Sequence, residues 1–301
     1  VTELNAKRPV LDHGYVQYID HLGDDLSPLE AARMSTGKET GVDVAKDDAL
    51  RTRLWRDHHV SPFEMCDLVV EIQCPIFVLR QIDRHRTVDY DGTVIESQDE
   101  NARQFMSRNE FSGRYATMPD LFFVPPVERI QKKGVANKQG SEGSLERDVQ
   151  EKMQGLLKVG VRQARADYEE MIASGVSSEI ARVALPLNQY TKLRLKGSLL
   201  SWLKFSNLRL RTDVQLECRV YAQEIAKILR RLWPKSWEVF EEHTLYAATF
   251  TRTEARQCAE ALTTAVNALR GVVTAETIAE MERLGAKLRR GPLSGLVPDG
   301  D

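Results

Sequence analysis

Arginine dominates the clusters of this chain whose residue types can do chemistry. The string Gln81-Ile82-Asp83-Arg84-His85-Arg86 sets two guanidinium groups around an imidazole. Each guanidinium is a planar fork of donors that matches a phosphate, a carboxylate or the edge of a heterocycle. A second string, Ser107 to Tyr115, combines a carboxylate at Glu110, a hydroxyl at Ser112 and a cation at Arg114 with Gly113, where backbone can approach a ligand closely. A third, His58-His59-Val60-Ser61-Pro62-Phe63-Glu64, places two histidines side by side. Adjacent side chains diverge on a regular backbone, so stacking or hydrogen bonding is expected there rather than a shared metal. Arg182 and Arg209 each sit among apolar neighbours, and a buried arginine needs an anionic or polar partner, which a protein carboxylate or a ligand would supply. Taken singly, the first two clusters also read as an ordinary charged turn at a strand end and an ordinary polar turn.

These clusters need elements to hold them. The run Leu68 to Leu79, LVVEIQCPIFVL, is rich in β-branched and aromatic residues and predicts a strand, with Gln81 to Arg86 at its end. Asp25 to Arg33 predicts a short helix with Asp25 and Ser27 as candidate N-caps. From Glu146 to Arg231 the pattern reads as helical: Val149, Met153, Leu156, Leu157, Val161 and Ala164 follow i, i+3, i+4 spacing, and Leu199, Leu203, Leu208 and Val214 are read as a further apolar helical set. The polar, Gly-rich stretch 129–144 reads as a surface loop. Thr251 with Glu254 forms a capping-box pattern ahead of Ala255, Cys258, Ala259, Leu262 and Val266 at helical spacing, and a Gly/Pro-rich tail expected to be disordered follows. The fold class is therefore α+β, with a central sheet and a helical second half.

The 301 residues carry 42 Lys+Arg against 44 Asp+Glu, a formal charge of -2. Binding to nucleic acid or an anionic membrane by bulk charge needs a basic excess that this balance lacks. There is no apolar run of the roughly 20 residues needed to span a bilayer, and VTELNAKRPV is not a signal peptide, so a cytoplasmic protein is expected. Cys66, Cys74, Cys218 and Cys258 show no zinc-site spacing and read as small buried hydrophobes.

Taken in order, AARMS (31–35), HHVSPFE (58–64), RQIDRHR (80–86), SRNEFSGRY (107–115), SGVSSEIARVALPLNQYT (174–191) and NLRLRTDVQLE (207–217) resemble the successive motifs of the flavin-dependent thymidylate synthases. The resemblance runs from about Leu11 to His243 and divides the chain into a synthase-like domain, 1–243, and a C-terminal helical extension, 244–301. It implies a homotetramer with active sites where subunits meet. The implied reaction is reductive methylation of dUMP to dTMP: methylenetetrahydrofolate gives the carbon, NADPH the electrons, and FAD passes hydride and the one-carbon unit.

Residue by residue, the resemblance assigns Gln81, Glu110, Ser112, Gly113, Arg114 and Arg182 to the nucleotide, with Arg114 and Arg182 on its phosphate. Arg84 and Arg209 would lie near the uracil, Arg209 stabilising negative charge as C5 becomes nucleophilic. Ser112 is the signature serine, read as a phosphate ligand because its neighbours include no general base. FAD would meet Ser35, Ser61, Glu64, Arg84, His85 and Arg86, with His59 near the flavin and folate rings. Two departures stand out. About 18 residues, Val88 to Phe105, separate Thr87 from Met106 where the family has a short spacing, and Ser198, Leu200 and Lys204 stand where it carries Asn, Arg and Asn on FAD. A pyrimidine-nucleotide hydroxymethylase and a diverged nucleotide- or RNA-binding protein remain alternatives.

Overall fold

The computed structural model describes residues 4–37, 39–87, 106–135, 137–270 and 272–290. In chain order these form β1 (Arg8–Val10), β2 (Gly14–Leu22), α1 (Ser27–Arg33), α2 (Val44–Arg56), β3 (Asp67–Pro75), α3 (Ile76–Ile82), β4 (Met106–Glu110), β5 (Gln131–Lys133) and β6 (Ser141–Ser144). There follow α4 (Arg147–Ala173), α5 (Ser178–Ala181), β7 (Tyr190–Ser198), α6 (Leu199–Arg209), α7 (Leu216–Leu232), α8 (Pro234–Phe240), α9 (Arg252–Leu269) and α10 (Ala275–Arg290). The chain divides into two compact units, Val1–Leu245 and Tyr246–Asp301. Segments 88–105 and 291–301, the expected insertion and tail, lie outside the described residues.

An antiparallel sheet in the order β1-β2-β3-β7-β4 organises the first unit. Strands β3 and β7 alternate: Leu68, Val70, Ile72 and Cys74 of β3 are buried with the half-buried Val69, Glu71 and Gln73 between them, and Leu193, Leu195 and Gly197 of β7 are buried with the exposed Arg194 and Lys196 between them. This alternation marks a sheet packed on one face. On the open face Glu71 accepts from Tyr15 Oη (2.8 Å) and Arg194 (3.0 Å), and Lys196 pairs with Asp67 (2.8 Å). On the covered face, Tyr221 of α7 donates its hydroxyl hydrogen to the Gln73 carbonyl (2.8 Å). A Cβ at Gly14 would lie 1.9 Å from that Tyr221 oxygen, so only glycine leaves room for it.

Several elements differ from the sequence reading. The apolar run does not continue as a strand to Leu79: β3 stops at Pro75, whose missing N–H and φ of -61° suit it to begin a helix instead. The free N–H groups of Ile76 and Phe77 donate to the carbonyls of Gln189 and Leu187, so Arg80, Gln81 and Ile82 ride on α3. β7 interrupts the span read as helical, and Val214 falls in the turn between α6 and α7. The stretch 129–144 is not a plain loop but contains the exposed β5–β6 hairpin. α1 starts at Ser27 with Leu26 as N-cap, and Asp24 Oδ1 accepts from the backbone of Leu26 (2.8 Å) and Ser27 (3.2 Å). Asp25 caps α8 instead, accepting from Lys235 N, Ser236 N and Ser236 Oγ at 2.7–2.8 Å.

In the second unit α9 opens with the capping box of Thr251 and Glu254, as the spacing suggests. Of the cysteines, Cys66, Cys74 and Cys218 are buried but Cys258 is only half-buried, since it falls at the margin of the apolar stripe of α9.

Candidate active site

Arg209, at the end of α6, meets the turn that follows α3. Its Nε donates to His85 Nε2 (2.8 Å) and its Nη2 to the Gln81 carbonyl (3.0 Å). The Gln81 side chain donates to Gln215 Oε1 (2.6 Å). Gln81 and Arg209 line a cavity of about 1020 Å³ beside the β5–β6 hairpin, whose polar wall also includes Arg129, Asn137, Arg211 and Arg219. Arg129 pairs with the buried Glu217, and Asn137 donates to the Asp213 carbonyl, so the hairpin is tied to α7 and the turn before it. Arg84 is exposed and His85 buried.

A second cluster forms where β4 runs into its following turn. Ser112 Oγ accepts from Arg114 N (3.3 Å), and no histidine or carboxylate hydrogen-bonds to it among the described residues. Arg114 lies 3.7 Å from Glu179, whose carbonyl also accepts from Arg182 Nε at 3.4 Å. Arg114 and Arg182 both face solvent. A Cβ on Gly113 would come within 2.8 Å of Met118 Sδ and 3.3 Å of Arg182 Cδ, so the glycine serves close packing within the cluster itself. Glu110 accepts from Thr191 Oγ1 (2.9 Å), and Arg108, 3.9 Å from Glu110, is paired with Asp83. Neither Arg114 nor Arg182 lines the cavity that holds Arg209.

A third group surrounds the start of α6. Ser198 is its N-cap, with Oγ accepting from Ser201 N (3.2 Å). Leu200 is buried and Lys204 partly exposed; with Trp55, His58, Asn207 and Phe240 they line a cavity of about 280 Å³. His58 takes φ 61°, and this left-handed step after α2 carries the chain through the exposed His59 into the turn Ser61–Met65, where Ser61 and Glu64 are exposed. Ser35 is exposed just beyond α1, its hydroxyl donating to the Ala32 carbonyl (3.3 Å). The described part of Arg86 is backbone in the turn Asp83–Thr87.

The model of the family described as thymidylate synthase complementing protein matches residues 17–235, which include all the residues of these clusters except Phe240. The flavin-dependent thymidylate synthase of Thermus thermophilus is 39% identical over 268 residues, 89% of this chain and 86% of that protein. The chain belongs to the flavin-dependent thymidylate synthase family. The synthase of Rickettsia prowazekii is 38% identical, with 81% of each chain covered. Among solved structures, the UMP/dUMP methylase PolB of Streptomyces cacaoi bound with 5-Br dUMP superposes with a TM-score of 0.65 at 25% identity, covering 79% of this chain and 98% of that one. The match to the family ends before α9, so α9 and α10 lie beyond it.

Within this flavin-dependent synthase fold, sequence reasoning overlooked Arg108 and Asp83, which join β4 to the turn carrying Arg84 and His85. It also overlooked Gln215 and Arg129. Arg108 lay inside a motif already quoted, but a salt bridge spanning 25 residues leaves no local signal. The thiols are not poised for nucleophilic attack: burial pushes Cys66 up to about 12 and Cys218 to about 11, and raises Cys74 well above the ordinary range.

Proposed function

We propose that this chain converts dUMP to dTMP by reductive methylation, taking the carbon from methylenetetrahydrofolate and the electrons from NADPH through FAD. The observation that carries the reading is the setting of Arg209, a guanidinium held on one edge by His85 and Gln81 at the wall of a large polar cavity. Such a group stabilises negative charge on the carbonyl and nitrogen of a pyrimidine as C5 becomes nucleophilic. Arg114 and Arg182, exposed beside Ser112, are suited to the nucleotide phosphate.

The residues also fit a flavin. His85 Nδ1 is buried without a partner among the described residues, a donor that a heterocyclic acceptor would satisfy. The smaller cavity has aromatic and aliphatic walls at Trp55, Phe240 and Leu200 with Lys204 and Arg56 among its lining residues, a chemistry that suits a flat ring system bearing phosphates. Ser35, His59, Ser61, Glu64, Arg84, His85, Arg86, Ser198 and Lys204 would hold FAD. When bound, FAD supplies the hydride and one-carbon chemistry. The protein's part is to bind, orient and stabilise charge.

Separation of the Arg182 cluster from the cavity of Arg209 within one chain supports sites completed between subunits of a homotetramer. So does α4, which exposes Val149, Leu156, Leu157 and Val159. The decisive measurement is the mass of the nucleotide after incubation with dUMP, methylenetetrahydrofolate, NADPH and FAD. A gain of one methylene relative to dUMP, replacing H by CH3, supports the synthase; a hydroxymethyl product overturns it in favour of a hydroxymethylase. Sedimentation of the holoenzyme tests the tetramer.

A further inference from the structure

His85 is 2% exposed and lies edge-on to Phe205, ring centroids 4.9 Å apart. Arginine can only donate, so the 2.8 Å contact from Arg209 Nε makes His85 Nε2 an acceptor and puts the proton of the neutral ring on Nδ1. Burial and the adjacent guanidinium push this imidazole down to about 3, which keeps the acceptor form in place at neutral pH. Nε and Nη2 share one edge of a guanidinium. With His85 and the Gln81 carbonyl on that edge, Nη1 and the second Nη2 hydrogen are left for a ligand in the cavity that Arg209 lines.

We propose that His85 is a positioning residue: a buried neutral acceptor that fixes the rotation of Arg209 so that its terminal edge meets the adjacent oxygen and nitrogen acceptors of a pyrimidine ring. This rests on the assignment of Arg209 to the pyrimidine made above. A flexible guanidinium loses most of its advantage because it must be reoriented in the transition state, whereas a held one is already aimed. The family resemblance places His85 on FAD. The geometry gives its Nε2 to Arg209 and leaves only Nδ1 for a cofactor.

The test compares His85→Phe, which keeps a ring against Phe205 without an acceptor, with His85→Gln, which restores a neutral acceptor. Each is made in the wild-type and Arg209→Ala backgrounds, and kcat, KM for dUMP and FAD affinity are measured. The expected result for His85→Phe, read at saturating FAD so that loss of the Nδ1 donor to the cofactor does not enter, is a fall in kcat of about tenfold or more, the size of a lost hydrogen bond to a charged group. His85→Gln should recover much of it. In the Arg209→Ala background His85→Phe should lower kcat no further at saturating FAD. Additive losses, or weakened FAD binding with kcat intact at saturating FAD, would overturn the proposal. Full turnover by Arg209→Ala alone would instead sink the assignment of Arg209 on which it rests. Should the variants not fold, nitrogen NMR of ring-labelled histidine in the wild-type holoenzyme decides: a bare Nε2 and a protonated Nδ1 support the arrangement, and a proton on Nε2 excludes it.

Discussion

Arg129 and Glu217 meet through two hydrogen bonds, Nε to Oε1 at 2.7 Å and Nη2 to Oε2 at 3.1 Å, with the carboxylate side chain only 3% exposed. The pair ties Arg129, two residues before β5, to the first turn of α7, beside the cavity of Arg209. Glu217→Ala strands a guanidinium that is 20% exposed, and should cost about 3 kcal/mol, near the lower end for a buried pair. It should also speed tryptic cleavage at Lys132, Lys133 or Lys138, read by mass spectrometry. Unchanged cleavage would show that the hairpin is held by other contacts.

Arg182→Ala and Arg209→Ala should both remove most activity, through different kinetic constants. Loss of a phosphate contact weakens ground-state binding and raises KM for dUMP; loss of a group that meets developing charge lowers kcat. Steady-state kinetics at saturating FAD separate the two, and an unchanged dUMP affinity in Arg182→Ala would remove that residue from the phosphate.

No cysteine should be essential. With Cys66, Cys74 and Cys218 buried and their thiols pushed up, replacing all four cysteines by alanine should reduce stability by about 1 kcal/mol at each buried position while turnover per bound FAD persists. A single replacement that ends turnover in folded, FAD-bound protein would contradict this. In the wild-type protein Cys258, half-buried, should be alkylated first.

His85 should also give folding stability a slope with pH. Burial, then Arg209, pushes the folded imidazole from 6.5 to about 3, whereas the unfolded chain takes up its proton near 6.5. The contribution is therefore fully present above pH 6.5 and is lost as pH falls from 6.5 toward 3. Urea midpoints measured across that interval should fall less steeply with decreasing pH in His85→Phe than in wild type. Parallel curves would mean that His85 accepts a proton in the folded state.

Part of the candidate site was legible because its residues come in short strings: Gln81, His85 and Arg209 meet in one cluster, and Ser112, Arg114 and Arg182 gather in another. The fold was legible where one period governs a segment, as in the first eight residues of the Leu68 run and in α4. It failed where a local rule was overridden. Pro75 turns an apolar run from strand to helix within one residue. In β7, Lys192, Arg194 and Lys196 lie between buried neighbours with a period of two, but their side chains are equally at home on a helix, and the flanking helices masked the alternation. Asp25 reads as a cap for the helix beside it and instead caps one that begins at Pro234, a partner chosen by tertiary packing. The Arg108–Asp83 pair is hidden for the same reason.

The register of β4 on β7 has a consequence for how this chain tolerates change. Five consecutive pairs, Met106↔Gly197 through Glu110↔Leu193, fasten the edge strand immediately before Ser112 and Arg114 to β7. The position of those two residues is thus referenced to β7, not to the length of chain that arrives from Thr87. Doubling the residues between Thr87 and Met106 would add only about 0.6 kcal/mol of closure entropy. The ladder works as a clamp: a change in length before Met106 leaves the turn of Ser112 and Arg114 at the same coordinates as long as β4 keeps its register on β7.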